Sequence, residues 1–260
     1  MTTKEKIKSA EVKIVETLKR AGRNPKPFKN YRRPGREDDL NRYIDHTLLK
    51  ADTTREKCES LYKEAVEWNC FSVCIPPNRV KQAAEVLSES PVKVCTVVGF
   101  PLGYQLPEVK AREVELLTGE GCDEFDMVIP VGLLKDRDIL GIFSDIGAVT
   151  DAAGEKPVKV ILEMGLLEEE EKIFGGLTAL LAGAAMLKTS TGFAGSGAAV
   201  EDIKLLRMIA GDRAGVKAAG GIKSGDFARE LLNAGADRIG ASSTGIILGK
   251  EAAGKGVSAY

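Results

Sequence analysis

Short apolar runs recur along the chain, each followed by a stretch whose apolar residues repeat at helical spacing. The runs predict strands at Tyr43–His46, Phe71–Ile75, Val92–Gly99, Glu124–Ile129, Val158–Glu163, Ala185–Ser190, Gly215–Ala219 and Arg238–Ala241. The amphipathic stretches predict helices near 54–69, 78–89, 105–120, 136–153, 168–183, 199–211 and 225–235. Thr53-Thr54-Arg55-Glu56 reads as a capping box at the start of the first of these, with Thr53 as the cap. Glycines at 119, 121, 183 and 235 close helices before the next strand. Strand starts fall roughly 20 to 35 residues apart, the length of one strand–helix unit. Eight such units predict an α/β fold of the (β/α)8 barrel type rather than an open sheet.

Ahead of the barrel, residues 3–22 repeat apolar positions (Ile7, Val12, Ile14, Val15, Leu18) at helical spacing, and Pro25, Pro27 and Pro34 end the pattern. The expected organisation is a basic helical extension and linker over 1–39, then a barrel with a C-terminal tail over 40–260. Residues 1–36 carry twelve Lys and Arg against three Glu, although the whole chain has a net charge of −1. A basic arm suits nucleic acid, a subunit contact or a solvated helix. Its mixed Glu residues and few aromatics favour the last two, so no nucleic-acid partner is expected.

At 43% apolar residues the chain can build a large core, and no apolar run reaches bilayer length. The charged N-terminus does not read as a signal peptide, so a soluble, cytoplasmic protein is expected. Five cysteines without paired spacing and a single histidine make a zinc site an unpromising reading, and no metal or cofactor is expected. The same scarcity of histidine leaves proton transfer to lysine, carboxylates, tyrosine or water.

Chemistry in this architecture sits at the C-terminal strand ends, which selects Asp45, Cys74, Asp126, Glu163, Lys188 and Lys217. Lys188 closes the run Ala184–Leu187, and Lys217 recurs one unit later. A buried ammonium is costly, so a pair of lysines on consecutive strands suggests an amine nucleophile and the cation that activates it. At about 6 Å and an effective dielectric of 20 the two repel by roughly 2.8 kcal/mol, about two pKa units. Two strand-end lysines with their heads in water is the plainer reading. Asp126 shares a strand face with Glu124, and serves either as a proton relay beside Lys217 or as a structural ion pair. Asp45 suits the same network or a substrate hydroxyl. His46 faces the other way and is structural, Trp68 belongs to a helix packing face, and Cys74 and Cys95 read as core. Gly192, Gly220-Gly221, Lys223 and Ser242-Ser243 lie where loops of this fold gather backbone N–H groups around an anion.

These pieces together resemble the deoxyribose-phosphate aldolase family, a class I aldolase family, over about residues 40–250. The matching segments are Tyr43–Leu49, Val97–Gly103, Asp123–Val128, Lys159–Glu163, Lys188–Phe193 and Lys217–Ile222. The resemblance implies Lys188 as the Schiff-base lysine, Lys217 as the second lysine that lowers its pKa, and Asp126 as the proton-relay aspartate. It places Asp45 by the substrate hydroxyl and Cys74 near the site. Thr189, Gly192, Gly220, Gly221, Ser242 and Ser243 surround the substrate and its phosphate, and Tyr260 matches a terminal tyrosine that reaches the site in some members. Ala185, Pro130 and Met164 depart from the common pattern, and Phe193 stands where some members carry a phosphate-binding lysine. The implied reaction is reversible cleavage of 2-deoxyribose 5-phosphate to glyceraldehyde 3-phosphate and acetaldehyde. An imine at C1 would act as the electron sink for breaking the C3–C4 bond. The implied assembly is a homodimer or homotetramer. Another lysine aldolase of the same barrel class and a phosphosugar-binding barrel without turnover are the competing readings.

Overall fold

The computed structural model describes residues 1–28 and 39–250; linker residues 29–38, with Pro34, and the tail 251–260, with Tyr260, lie outside the described residues. Eight parallel strands close a barrel in sequence order. They are β1 (Ile44–Thr47), β2 (Ser72–Ile75), β3 (Lys93–Val98), β4 (Glu124–Val128), β5 (Val158–Ile161), β6 (Met186–Lys188), β7 (Gly215–Ala219) and β8 (Arg238–Ala241). Apart from Lys93, every strand residue is buried, as expected where helices cover the outside and side chains fill the inside. The helices alternate with them: α1 (Thr3–Arg20), α2 (Arg55–Glu67), α3 (Val80–Val86), α4 (Pro107–Gly119), α5 (Val131–Lys135), α6 (Ile139–Ala153), α7 (Glu169–Leu181), α8 (Val200–Ala210), α9 (Gly225–Ala234) and α10 (Thr244–Ile247).

Four boundaries differ from the sequence expectation for identifiable reasons. Strand β5 stops at Ile161 rather than Glu163 because Glu163 takes a left-handed backbone, φ 56° and ψ 58°. The helix expected over 136–153 starts later, as α6 at Ile139: after the short α5, Arg137 turns at φ 57°, and the Asp138 side chain accepts from Gly141 N at 2.9 Å to cap the new helix. The helix over 78–89 begins with a tight turn at Pro77–Arg79 before α3. The cap of α2 is Thr54, accepting from Lys57 N, while the Thr53 hydroxyl donates to Lys50 O at 2.6 Å. The capping box expected from Thr53 therefore does not form.

Helix α1 buries Ile7, Ile14 and Leu18, leaves Val12 exposed, and lies on α7 and α6. Its charges meet the barrel: Lys6 Nζ is 2.9 Å from Glu169 Oε1 and Arg213 Nη1 is 2.5 Å from Glu11 Oε1. Beyond it, Lys26 donates to Gly147 O and the Thr150 hydroxyl and pairs with Asp151. Residues 1–28, the described part of the basic arm, thus lie against the outside of the barrel.

The outer layer also holds a buried ion pair. Lys110 on α4 lies 2.8 Å from Asp145 on α6 and donates to Val128 O at the end of β4. Burial pushes the Asp145 carboxyl up to about 6 despite Lys110, and burial lowers Lys110. Because folding raises the Asp145 value, its ionisation weakens the fold as pH rises towards 6, and acidification below that relieves the cost. Lys110→Met leaves the carboxylate without its partner and is expected to cost about 3–5 kcal/mol at pH 8. That loss should shrink at pH 5, where Asp145 takes up a proton; urea unfolding at the two pH values measures it.

Candidate active site

The strand register decides which charges become neighbours. Lys188 pairs across to Lys217, Lys217 to Arg238, and Asp126 to Lys159. All five point into the barrel, where Asp126 on β4 is the hub. Its Oδ2 accepts from Lys188 Nζ and from Lys217 Nζ, each at 2.7 Å, so the two amines are no more than twice that distance apart. Its Oδ1 accepts from Lys159 Nζ at 2.8 Å and from Cys95 Sγ at 3.3 Å. Lys159 also pairs with Glu124 at 2.8 Å. On the other side, Lys217 Nζ sits 2.5 Å from Asp45 Oδ2, an ion-pair contact rather than an aligned hydrogen bond. Asp45 Oδ1 accepts from Ser72 Oγ and from Arg238 Nη1, both at 2.7 Å.

Burial alone would neutralise these groups, and their partners overrule it. Burial raises Asp126, but Lys159, Lys188 and Lys217 hold its carboxyl well below the usual carboxylate range. Burial likewise opposes the charge on Asp45, which Arg238 and Lys217 pull below its ordinary value. Lys217 and Lys159 are lowered by burial yet raised overall by the carboxylates around them. The expected interaction between Lys188 and Lys217 therefore has a carboxylate at its centre: Asp126 faces both amines at once.

Each expected residue has a definite place. Cys74 is fully buried beside Cys95 and Asp126, and its hydrogen bond with Cys95 lowers the thiol. Asp45 is given to the ion network, one of its two expected roles. His46 points outward to Glu64, 2.9 Å away, with its ring against Trp68. Glu163 accepts from Thr191 N and from the Thr191 hydroxyl, shaping the turn after β6. Thr189 follows Lys188 at the end of β6. Its hydroxyl donates to Ala219 O and accepts from Ala219 N, both at 3.0 Å, so it pins β6 to β7.

Gly192, Gly220, Gly221, Lys223, Ser242 and Ser243 do come together, lining a cleft of about 300 Å³. The loop Gly195-Ser196-Gly197 completes its wall, which the sequence reading did not include. At Gly197 an added Cβ would meet Gly220 O at 2.4 Å, so only glycine permits this approach. Gly240, also on the cleft, gives Lys217 its room: a Cβ there would lie 3.0 Å from Lys217 Cε. Phe193 packs edge-on against Phe100 at the mouth, 5.2 Å between centroids.

Lys159 and Arg238 are the charged groups the sequence reading missed as site residues. The signal was present, because a lysine inside the run Val158–Ile161 is the same anomaly that singled out Lys188.

The profile of the DeoC/LacD family aldolases matches residues 41–255. The chain belongs to the DeoC/LacD aldolase family. Among relatives, a deoxyribose-phosphate aldolase of Streptococcus gordonii is 51% identical over 216 residues, 83% of this chain and 98% of that protein. Deoxyribose-phosphate aldolase 1 of Bacillus licheniformis is 53% identical over 205 residues, 78% of this chain and 92% of that one. A solved structure described as a unique tetrameric deoxyribose phosphate aldolase, from Aeropyrum pernix, superposes with a TM-score of 0.77 at 32% identity. It covers 84% of this chain and 92% of that one. The family match contains every residue of the charged cluster and begins after α1. Cys74, Cys95 and Asp126 have ligand atoms within 4.8 Å of one another, but the ammonium groups on Asp126 oppose a divalent cation between them.

Among the described residues no helix is long and apolar enough to cross a membrane.

Proposed function

We propose that this aldolase cleaves 2-deoxyribose 5-phosphate reversibly to glyceraldehyde 3-phosphate and acetaldehyde, with Lys188 as the Schiff-base residue. The observation that carries the reading is a 4%-exposed amine held 2.7 Å from a carboxylate oxygen that a second lysine shares. The names of the relatives support the substrate. The bond that breaks is C2–C3, not the C3–C4 bond expected above, because acetaldehyde has two carbons and C2 is the α-carbon of an imine at C1.

Lys188 Nζ attacks C1, and the carbonyl pair moves to oxygen and takes a proton, giving a carbinolamine. Loss of water leaves an iminium. Removal of the C3 hydroxyl proton forms the new C=O, and the C2–C3 pair flows into the iminium as an enamine. Protonation at C2 and hydrolysis release acetaldehyde and restore the amine. Asp126 lies where it stabilises the iminium, and Lys217 opposes excess positive charge at the same nitrogen. Water at the mouth carries protons between them and the substrate, in keeping with a chain that has one histidine, turned outward.

The phosphate belongs in the glycine-lined cleft, with Gly220, Gly221, Ser242, Ser243 and Lys223 around it. With Phe193 packed on Phe100, a lysine contact from that position is absent, and Lys223 is the cleft's own cation. A homo-oligomeric assembly, dimer or tetramer, fits the tetrameric relative, and a cytoplasmic setting fits five buried free thiols.

Incubation with acetaldehyde and borohydride should add a two-carbon adduct at Lys188, located by peptide mapping. An unmodified Lys188 in folded, substrate-exposed protein overturns the reading.

A further inference from the structure

Six charges inside the barrel close a ring of alternating sign. Lys217 meets Asp126 at 2.7 Å, Asp126 meets Lys159 at 2.8 Å, and Lys159 meets Glu124 at 2.8 Å. Glu124 meets Arg238 at 3.3 Å, Arg238 meets Asp45 at 2.7 Å, and Asp45 returns to Lys217 at 2.5 Å. Lys188 is the seventh member, attached to the ring at Asp126 alone.

We propose that the ring is a charge-balanced frame in which Arg238, Glu124 and Lys159 are positioning residues that leave Lys188 as the cluster's one dispensable proton. Three cations and three anions cancel within the ring. Neutralising any one of them strands its buried partners, whereas a neutral Lys188 strands none. Lys159 also fixes the hub: by occupying Oδ1 it turns Oδ2 of Asp126 towards the two amines of the reaction.

The titration directions agree. Asp45, Glu124 and Asp126 are all held below their ordinary values, and Lys159, Lys217 and Arg238 above theirs. The ring therefore keeps its charges across the neutral range. The titratable and charged groups of the cluster that Lys188 joins are Asp45 on β1, Cys74 on β2, Cys95 on β3, Glu124 and Asp126 on β4, Lys159 on β5, Lys217 on β7 and Arg238 on β8. Of these, Cys95 is raised well above its ordinary value by burial, and Cys74 is lowered by its bond to Cys95.

Arg238 and Glu124 open their strands at the end of the barrel opposite the mouth, and the guanidinium lies over the Phe71 ring, 3.3 Å from its centroid. Substituting either changes the ring's charge at a distance from the substrate.

The inference rests on the imine at Lys188, and the test separates the two. Acetaldehyde–borohydride trapping at Lys188 is followed against pH for the wild type, Arg238→Gln, Glu124→Gln and the double variant. Arg238→Gln leaves excess negative charge and should move the acid limb up by about half a unit or more; Glu124→Gln should move it down by a similar amount. The double variant should return it to the wild-type position. A merely structural role lowers trapping in both single variants without opposite shifts, and that result overturns the ring. If Arg238→Gln does not fold, Glu124→Gln decides alone, since a limb that stays or rises overturns the proposal. Arg238→Lys, which keeps the charge, should keep the wild-type limb. Absence of trapping at any pH in the wild type overturns the imine reading instead.

Discussion

Replacement of Lys188 by methionine is expected to abolish turnover and trapping together while leaving the barrel folded. Without an imine there is no electron sink for the C2–C3 pair, and the loss should exceed about 10⁴-fold in kcat, more than about 5.5 kcal/mol of barrier. The fold should tolerate the change because no buried charge is orphaned. Asp126 keeps Lys159 on one oxygen and Lys217 on the other. Unfolding free energy is therefore expected to fall by no more than about 1–2 kcal/mol. Steady-state assay and urea unfolding of one preparation read both quantities. Turnover retained by the folded variant would place the nucleophile elsewhere.

Asp126→Asn is expected to damage both activity and stability. It removes the anion shared by three lysines and leaves their ammonium groups facing a neutral amide. At about 5 Å and an effective dielectric of 20, one such pair repels by about 3 kcal/mol. Loss of the partner of a buried charge commonly costs about 3–5 kcal/mol, and that is the expected drop in unfolding free energy at pH 7. Loss of a group positioned for proton transfer should lower kcat by about 10²- to 10⁴-fold. The pH dependence has a fixed sign. Asp126 titrates well below its ordinary value in the fold, so the stability it contributes is present at neutral pH and lost as pH falls through that depressed value. The difference between wild type and variant should therefore close only on acidification below about pH 4. Equal stability of the two proteins at pH 7 would mean that Asp126 is not the hub.

Local boundaries were least legible where a backbone anomaly intervened. Glu163 and Arg137 adopt positive φ without being glycine, and nothing in the apolar pattern announces such a residue. The Thr53 and Thr54 pair shows a related limit, since the Thr-x-x-Glu spacing singles out Thr53, whereas the path of the chain made Thr54 the cap. Lys159 and Arg238 were legible as charges in apolar strands, but their purpose was not. A lysine in a strand names a problem of burial, and the neighbour that solves it comes from another strand.

By itself the sequence determined the alternation of strand and helix, and hence the barrel, because apolar period and glycine corners act within a few residues of one another. It also determined the chemistry available: lysines and carboxylates at strand ends, and one histidine facing away. Only the tertiary structure decided that Asp126 serves three lysines and that Arg238 reaches Asp45 and Glu124. Those contacts depend on barrel closure and on the register across strands far apart in the chain. Charge balance among buried groups is a sum over such contacts.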